Sequence, residues 1–152
     1  MRTTTPLLAL LLAAPFSALA APYPAEGVTA QELADLLRSE GYQAVVTTTN
    51  NGSPKINSGA SGVNFSIVLH GCNPSGRCAD LEINAGWTNS DIPLEKVNQW
   101  NTEKRYLQAS WAQGKVYAEW DVIARHSSSE QMTVVIARWG SLIGEFRKFM
   151  NL

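Results

Sequence analysis

Val63-Asn64-Phe65-Ser66-Ile67-Val68-Leu69-His70-Gly71-Cys72 and Ala79-Asp80-Leu81-Glu82-Ile83-Asn84-Ala85-Gly86-Trp87 decide how this chain folds. In the first, Val63, Phe65, Ile67 and Leu69 alternate with Asn64, Ser66 and His70. In the second, Leu81, Ile83, Ala85 and Trp87 alternate with Asp80, Glu82 and Asn84. A period of two places every apolar side chain on one face, as in a strand buried on one side only. Asn73-Pro74-Ser75-Gly76-Arg77 separates Cys72 from Cys78 and reads as a turn, so the two strands form a hairpin. Alternating strands joined by short turns imply an antiparallel sheet with one covered face.

Working outward, the N-terminal side supplies a helix and two further strands. Thr29-x-x-Glu32 is a capping box, flanked by Val28 and Leu33 at staple positions. Leu33, Leu36 and Leu37 share a face at helical spacing, and Gly41 is a left-handed stop, giving a helix over about 29–40. Tyr42 to Thr49 is rich in β-formers, and Asn51-Gly52 turns it into Lys55 to Ser58. Gly59 and Gly62 bracket a bend. The first four strand segments read as a meander.

On the other side, Pro93 opens a second helix that runs to Lys104, with Leu94, Val97, Trp100 and Asn101 on its inner side. The Asn101 amide should therefore find backbone partners where helix passes to strand. Leu107, Ala109 and Trp111 lead through Gln113-Gly114 to Val116, Ala118, Trp120 and Val122. Ser127-x-x-Glu130 reads as a second capping box. After it, Met132, Val135, Ile136, Trp139, Ile143, Phe146 and Met150 form an apolar stripe on a long last helix. The expected fold is a single two-layer α+β domain over residues 28–152, an antiparallel sheet with helices on one face. Its element order is α-β-β-β-β-α-β-β-α.

The first twenty residues read differently. Met1-Arg2, the apolar run Leu7 to Leu12 and the small-x-small end Ala18-Leu19-Ala20 make a secretory signal, cut between Ala20 and Ala21. Its apolar run is too short to span a bilayer, and no Cys follows it for a lipid anchor. Residues 21–27, with Pro22, Pro24 and Gly27, form a flexible leader. Localisation is expected to be periplasmic or secreted, in a bacterium. There Cys72 and Cys78, the only two cysteines, should be oxidised to a disulfide that stabilises the fold by roughly 2 kcal/mol. The five-residue spacing does not fit a Cys-x-x-Cys redox pair. A zinc site would need ligands beyond His70 and His126.

The chain carries 12 Lys and Arg against 13 Asp and Glu, a formal net charge of −1. Its cations are scattered, Lys104-Arg105 and Arg147-Lys148 being the only pairs, so no nucleic-acid partner is expected. No membrane association is expected once the signal is gone. Catalytic residues, metals and cofactors are likewise not expected. His70 stands at a strand end and reads as an outward-facing side chain. Asp80, Glu82, Glu119 and Asp121 fall on polar strand faces, where carboxylates are ordinarily solvated. Ser61 lacks the Gly spacing of a nucleophile elbow, and Ser127 to Ser129 are explained as helix caps. Asn51 and Asn64 sit in glycosylation sequons that matter only in a eukaryotic secretory pathway.

Several features taken together resemble the YbjN family. They are Gly41-Tyr42, Gly62-Val63-Asn64-Phe65, Cys72 with Cys78, Val97-Asn98-Gln99-Trp100-Asn101 with Lys104-Arg105-Tyr106, Trp120-Asp121-Val122, and Gly144-Glu145-Phe146-Arg147-Lys148-Phe149. The resemblance spans residues 28–150. It implies a fold similar to the type III secretion chaperones, often a homodimer, and a bacterial sensory transduction regulator with no established active site. The leading expectation is an exported non-enzymatic domain that binds another protein or itself. Asn98, Trp100, Asn101, Tyr106, Trp111 and Tyr117 are the candidate binding surface. The alternatives are an envelope hydrolase using His70 or the strand carboxylates, and a small-molecule binder between sheet and helices.

Overall fold

The computed structural model describes residues 22–88 and 91–152. The signal segment and its Ala20/Ala21 cut lie outside the described residues. Along the chain run α1 (Ala30–Ser39), β1 (Val45–Thr48), β2 (Pro54–Ala60), β3 (Val63–Cys72), β4 (Cys78–Thr88), α2 (Leu94–Glu103), β5 (Gln108–Ala112), β6 (Lys115–Ile123) and α3 (Ser129–Met150). This is the expected order. The six strands form one antiparallel sheet in the order β1-β2-β3-β4-β6-β5. The meander of the first four strands is present. The last hairpin joins it with β6 innermost and β5 at the edge.

Alternation fixes the faces. Ile56, Ile67, Ile83 and Trp120 stand opposite one another across four strands, as do Ala85, Ala118 and Ala109 across three in the next inner row, while Phe65 faces Ser58. These side chains meet Leu33 and Leu37 of α1, Trp100 of α2, and Trp139, Ile143 and Phe146 of α3 in one core. Aromatic rings knit the helices together. Trp100 packs edge-on against Phe146 and Phe149, with ring centroids 4.9 and 5.4 Å apart, and Trp139 lies 5.7 Å from Phe65. Two hairpins turn through paired left-handed residues, Ser61-Gly62 and Gln113-Gly114, as the right-handed twist of antiparallel strands favours.

The cap of α1 is as expected. Thr29 Oγ1 accepts from the Glu32 amide at 3.1 Å, and Glu32 accepts from the Thr29 amide at 2.9 Å. Three details differ. The cap of α3 is one residue later, where Ser128 accepts from the Gln131 amide and Gln131 answers. Ser127 donates its hydroxyl to the Ala124 carbonyl instead, and the left-handed His126 turns the chain before the helix begins. Pro93 sits before α2 in extended conformation, not at its first position. Leu94 is exposed, because Ile92, just ahead of the helix, occupies the core.

Residues 22–27, expected as a flexible leader, are fastened at both ends. The Tyr23 amide donates to the Ser127 carbonyl, and Val28 exchanges two backbone hydrogen bonds with Cys78, at 3.1 and 2.9 Å. Gly27 packs so tightly here that a Cβ would lie 1.9 Å from the Cys78 carbonyl oxygen, and its φ is +101°. Burial pushes the Tyr23 hydroxyl pKa up, and the nearby Glu32 charge adds to it. A Cys72–Cys78 disulfide closes the β3–β4 hairpin, as the spacing predicts.

Candidate functional site

Asn98-Gln99-Trp100-Asn101, the most distinctive segment in the sequence, is spent on structure. Trp100 is fully buried and donates its Nε1 hydrogen to the Leu107 carbonyl at 2.9 Å. It therefore belongs to no surface. The Asn101 carboxamide lies along β5: its Nδ2 donates to the Ala109 carbonyl at 2.9 Å, and its Oδ1 accepts from the Ala109 amide at 2.8 Å. The two bonds reproduce what a neighbouring strand would supply, so α2 seals that edge of the sheet. Asn98 is exposed on α2, and its carbonyl accepts from the Thr102 hydroxyl.

Tyr106, Trp111 and Tyr117 lie on different parts of the last hairpin. Trp111 is on the helix-facing side of β5, opposite Val116, and partly exposed. Tyr117 is on the outer face, where its ring covers the Gly86 backbone. Tyr106 precedes β5 in a three-residue turn closed by the Leu107 amide on the Arg105 carbonyl. Its φ is +72°, a rare and strained value for a residue with a side chain. The ring is held 5.5 Å from Trp120 and 5.3 Å from the Arg138 guanidinium, yet remains 61% exposed.

Among the described residues no helix covers the outer face of the sheet, which is mostly polar. One row carries Asn57, Ser66, Asn84, Glu119 and Gln108; the next carries Lys55, Val68, Glu82 and Asp121; the next His70, Asp80 and Ile123. Two hollows open on it. Asn57, Asn64, Ser66, Asn84 and Gly86 help line one of about 470 Å³. The other, of about 480 Å³, lies between Glu82, Glu119 and Asp121 on one side and Tyr106, Gln108 and Trp120 on the other.

His70 and the carboxylates form pairs of the surface kind. His70 Nε2 lies 3.3 Å from Glu82 Oε2, and Asp80 is 3.6 Å from Arg125, all partly exposed. Glu82 also accepts from Asn84 at 2.6 Å, and Glu119 from the Ser110 hydroxyl at 3.0 Å. Neither hollow includes His70. Among the described residues no group of three or more His, Cys, Asp or Glu side chains is placed to hold a metal ion. None of their helices is long and apolar enough to cross a membrane. The gap expected for a small ligand between sheet and helices is filled by Trp100, Trp139 and Phe146.

Sequence reasoning missed the notch beside Tyr106. The signal was there in unequal strand lengths: the apolar alternation from Leu107 to Trp111 is shorter than that from Val116 to Val122. A short edge strand leaves part of its longer neighbour unpaired.

One family model covers nearly all of this two-layer α+β domain. That model, described as "Putative bacterial sensory transduction regulator", matches residues 29–151. The chain belongs to the YbjN family. Among curated proteins, none matches it. The YbjN assignment supports a regulatory or binding role, and the family is not known as one of enzymes.

Proposed function

We propose that the chain is exported by its first twenty residues and works outside the cytoplasm as a non-enzymatic regulatory domain. It meets a protein partner at the sheet edge beside Tyr106, where β6 runs past β5. The regulator family supports the role, and the Tyr106 geometry carries the location. Holding a non-glycine residue at φ +72° costs on the order of 1–3 kcal/mol. Here that strain keeps a large ring exposed and rigid between Trp120 and Arg138 instead of burying it. Pre-ordered aromatic side chains are the anchors that protein interfaces use.

A photo-crosslinking amino acid in place of Tyr106, activated in intact cells, should give one discrete protein adduct. The same substitution at Leu94, exposed on α2, should not. Absence of an adduct at both positions overturns the binding reading. Export is read separately: the mature protein should begin at Ala21 and leave the cytoplasm, and a cytoplasmic chain that keeps Met1 overturns that half.

A second copy of the chain is the other partner with a specific observation behind it. Among the described residues nothing pairs with the outer side of β1, and its Val45 is 61% exposed beside a partly exposed Val46. A protein that sediments as a monomer at high concentration removes that reading.

A further inference from the structure

β5 ends its pairing at Gln108, opposite Glu119, while β6 continues to Ile123. On that side Trp120, Asp121, Val122 and Ile123 have no strand neighbour among the described residues. The direction of their main-chain groups follows from alternation. The Ala124 amide donates to Ala79, beyond the end of β4's pairing with β6, and the next even residues share that side. Asp121 and Ile123 therefore point their N–H and C=O groups to the open side. The Asn101 seal reaches Ala109 and does not cover them. Two consequences of a missing strand are visible in the side chains. On the inner face Trp120 and Val122 are only partly buried, although their row neighbours Ile83 and Leu81 are fully so. On the outer face Ile123 is 68% exposed, beside Asp121.

We propose that this free stretch of β6 is a docking edge for an extended segment of a partner protein, whose residues alternate between basic and apolar. This rests on the protein-binding reading and names the partner's chemistry. A strand added here continues the line of β5, and its main chain bonds to Asp121 and Ile123. Every second side chain then lies on the outer face against Glu119, Asp121 and Glu82, which call for Lys or Arg. The intervening side chains lie on the inner face, where apolar groups cover Trp120 and Val122. The Tyr106 ring, already fixed by Trp120, closes the end of the groove. A second copy of this chain does not fit. Its own β6 would set carboxylate against carboxylate, and its open β1 edge, Val45-Val46-Thr47-Thr48, carries no cation.

The test is a fluorescein-labelled octapeptide of alternating Lys and Val titrated with the purified protein. Three results support the site. The peptide binds, and the Asp121 and Ile123 amides exchange more slowly in its presence. An analogue N-methylated at every second residue, which cannot complete the ladder, loses binding. The double variant Glu119→Gln, Asp121→Asn, melting like the parent, binds about five-fold more weakly, as two solvent-exposed ion pairs allow. No binding, equal binding of a Glu–Val octapeptide, or protection at Val45–Thr48 instead of β6 overturns it. Those outcomes leave a Tyr106 cross-link standing, so the site can fail without the protein-binding reading failing.

Discussion

The two edges of the sheet are treated differently, although both end in short strands. At β5 the helix α2 lies alongside and the Asn101 carboxamide occupies both polar groups of Ala109. At β1 all four residues are exposed, and the nearby side-chain links lie outside the strand: Ser58 to the Gln43 carbonyl and Arg38 to the Ala44 carbonyl before it, and the Ser53 amide to Thr49 Oγ1 after it. An edge can thus be closed by one amide, provided a buried anchor next to it fixes the amide's position. Trp100 is that anchor, one residue from Asn101 and wedged between Phe146 and Phe149. β1 has α1 near it but no such pair.

Removing the anchor should have the largest effect. Trp100→Ala empties a fully buried site and orphans the Leu107 carbonyl, so it should cost about 4 kcal/mol in a denaturant titration. Trp100→Phe keeps most of the packing and should lose about 1–2 kcal/mol with the hydrogen bond. Trp139 is the control. It is as buried, but its Nε1 hydrogen has no partner among the described residues, so Trp139→Phe should cost less than Trp100→Phe. Equal costs at the two positions would mean that the Leu107 bond contributes nothing to the seal.

Asn101→Ala removes the seal and leaves its anchor. Ala109 lies at the sheet edge, where water can replace the lost partners, so the expected cost is smaller, about 1 kcal/mol. The informative readout is local. The Ala109 amide should exchange faster in the variant while amides of β3 and β4 keep their protection. With β5 open as well as β1, the variant should also self-associate more than the parent in sedimentation.

Most of this architecture was legible in the sequence, because two-residue and 3.6-residue periods report directly on which face is buried. The capping box at Thr29, the left-handed Gly41, the Cys72–Cys78 pairing and the Asn101 amide all follow from local chemistry. What local chemistry could not place was the order β4-β6-β5, since hairpin signals are blind to which strand of the hairpin docks on the sheet. Trp100 shows the limit most plainly. Helical spacing places it on the inner side, where it lies, while its inclusion in a candidate surface fails because the composition around it serves a buried anchor and an edge seal. The notch at Tyr106 arises because β6 outruns β5, a difference in length and not in residue type.

The smallest expected effect concerns the β1 side, where α1 is held at its start by a clamp. Arg77 on the β3–β4 turn donates to both Glu32 oxygens, at 2.7 and 3.1 Å, and to the Gly27 carbonyl at 2.8 Å. Burial pushes the Glu32 pKa up, but the Arg77 bonds, the Thr29 amide and the Arg77 charge outweigh it, so the net direction is below the ordinary carboxylate value. A carboxyl whose pKa is lowered by folding stabilises the fold above its unfolded pKa, and that stability fades as pH falls through the folded value. Acid should therefore loosen the start of α1, and with it the β1 side, before it touches the Asn101 seal, which contains no titrating group. Because both clamp side chains are partly exposed, the loss should be modest. Hydrogen exchange below pH 4.5, the ordinary value for Glu32, should show α1 amides gaining exchange relative to Ala109, each corrected for the intrinsic rate. Glu32→Gln should abolish that difference in pH response, and a variant that keeps it would place the acid sensitivity elsewhere.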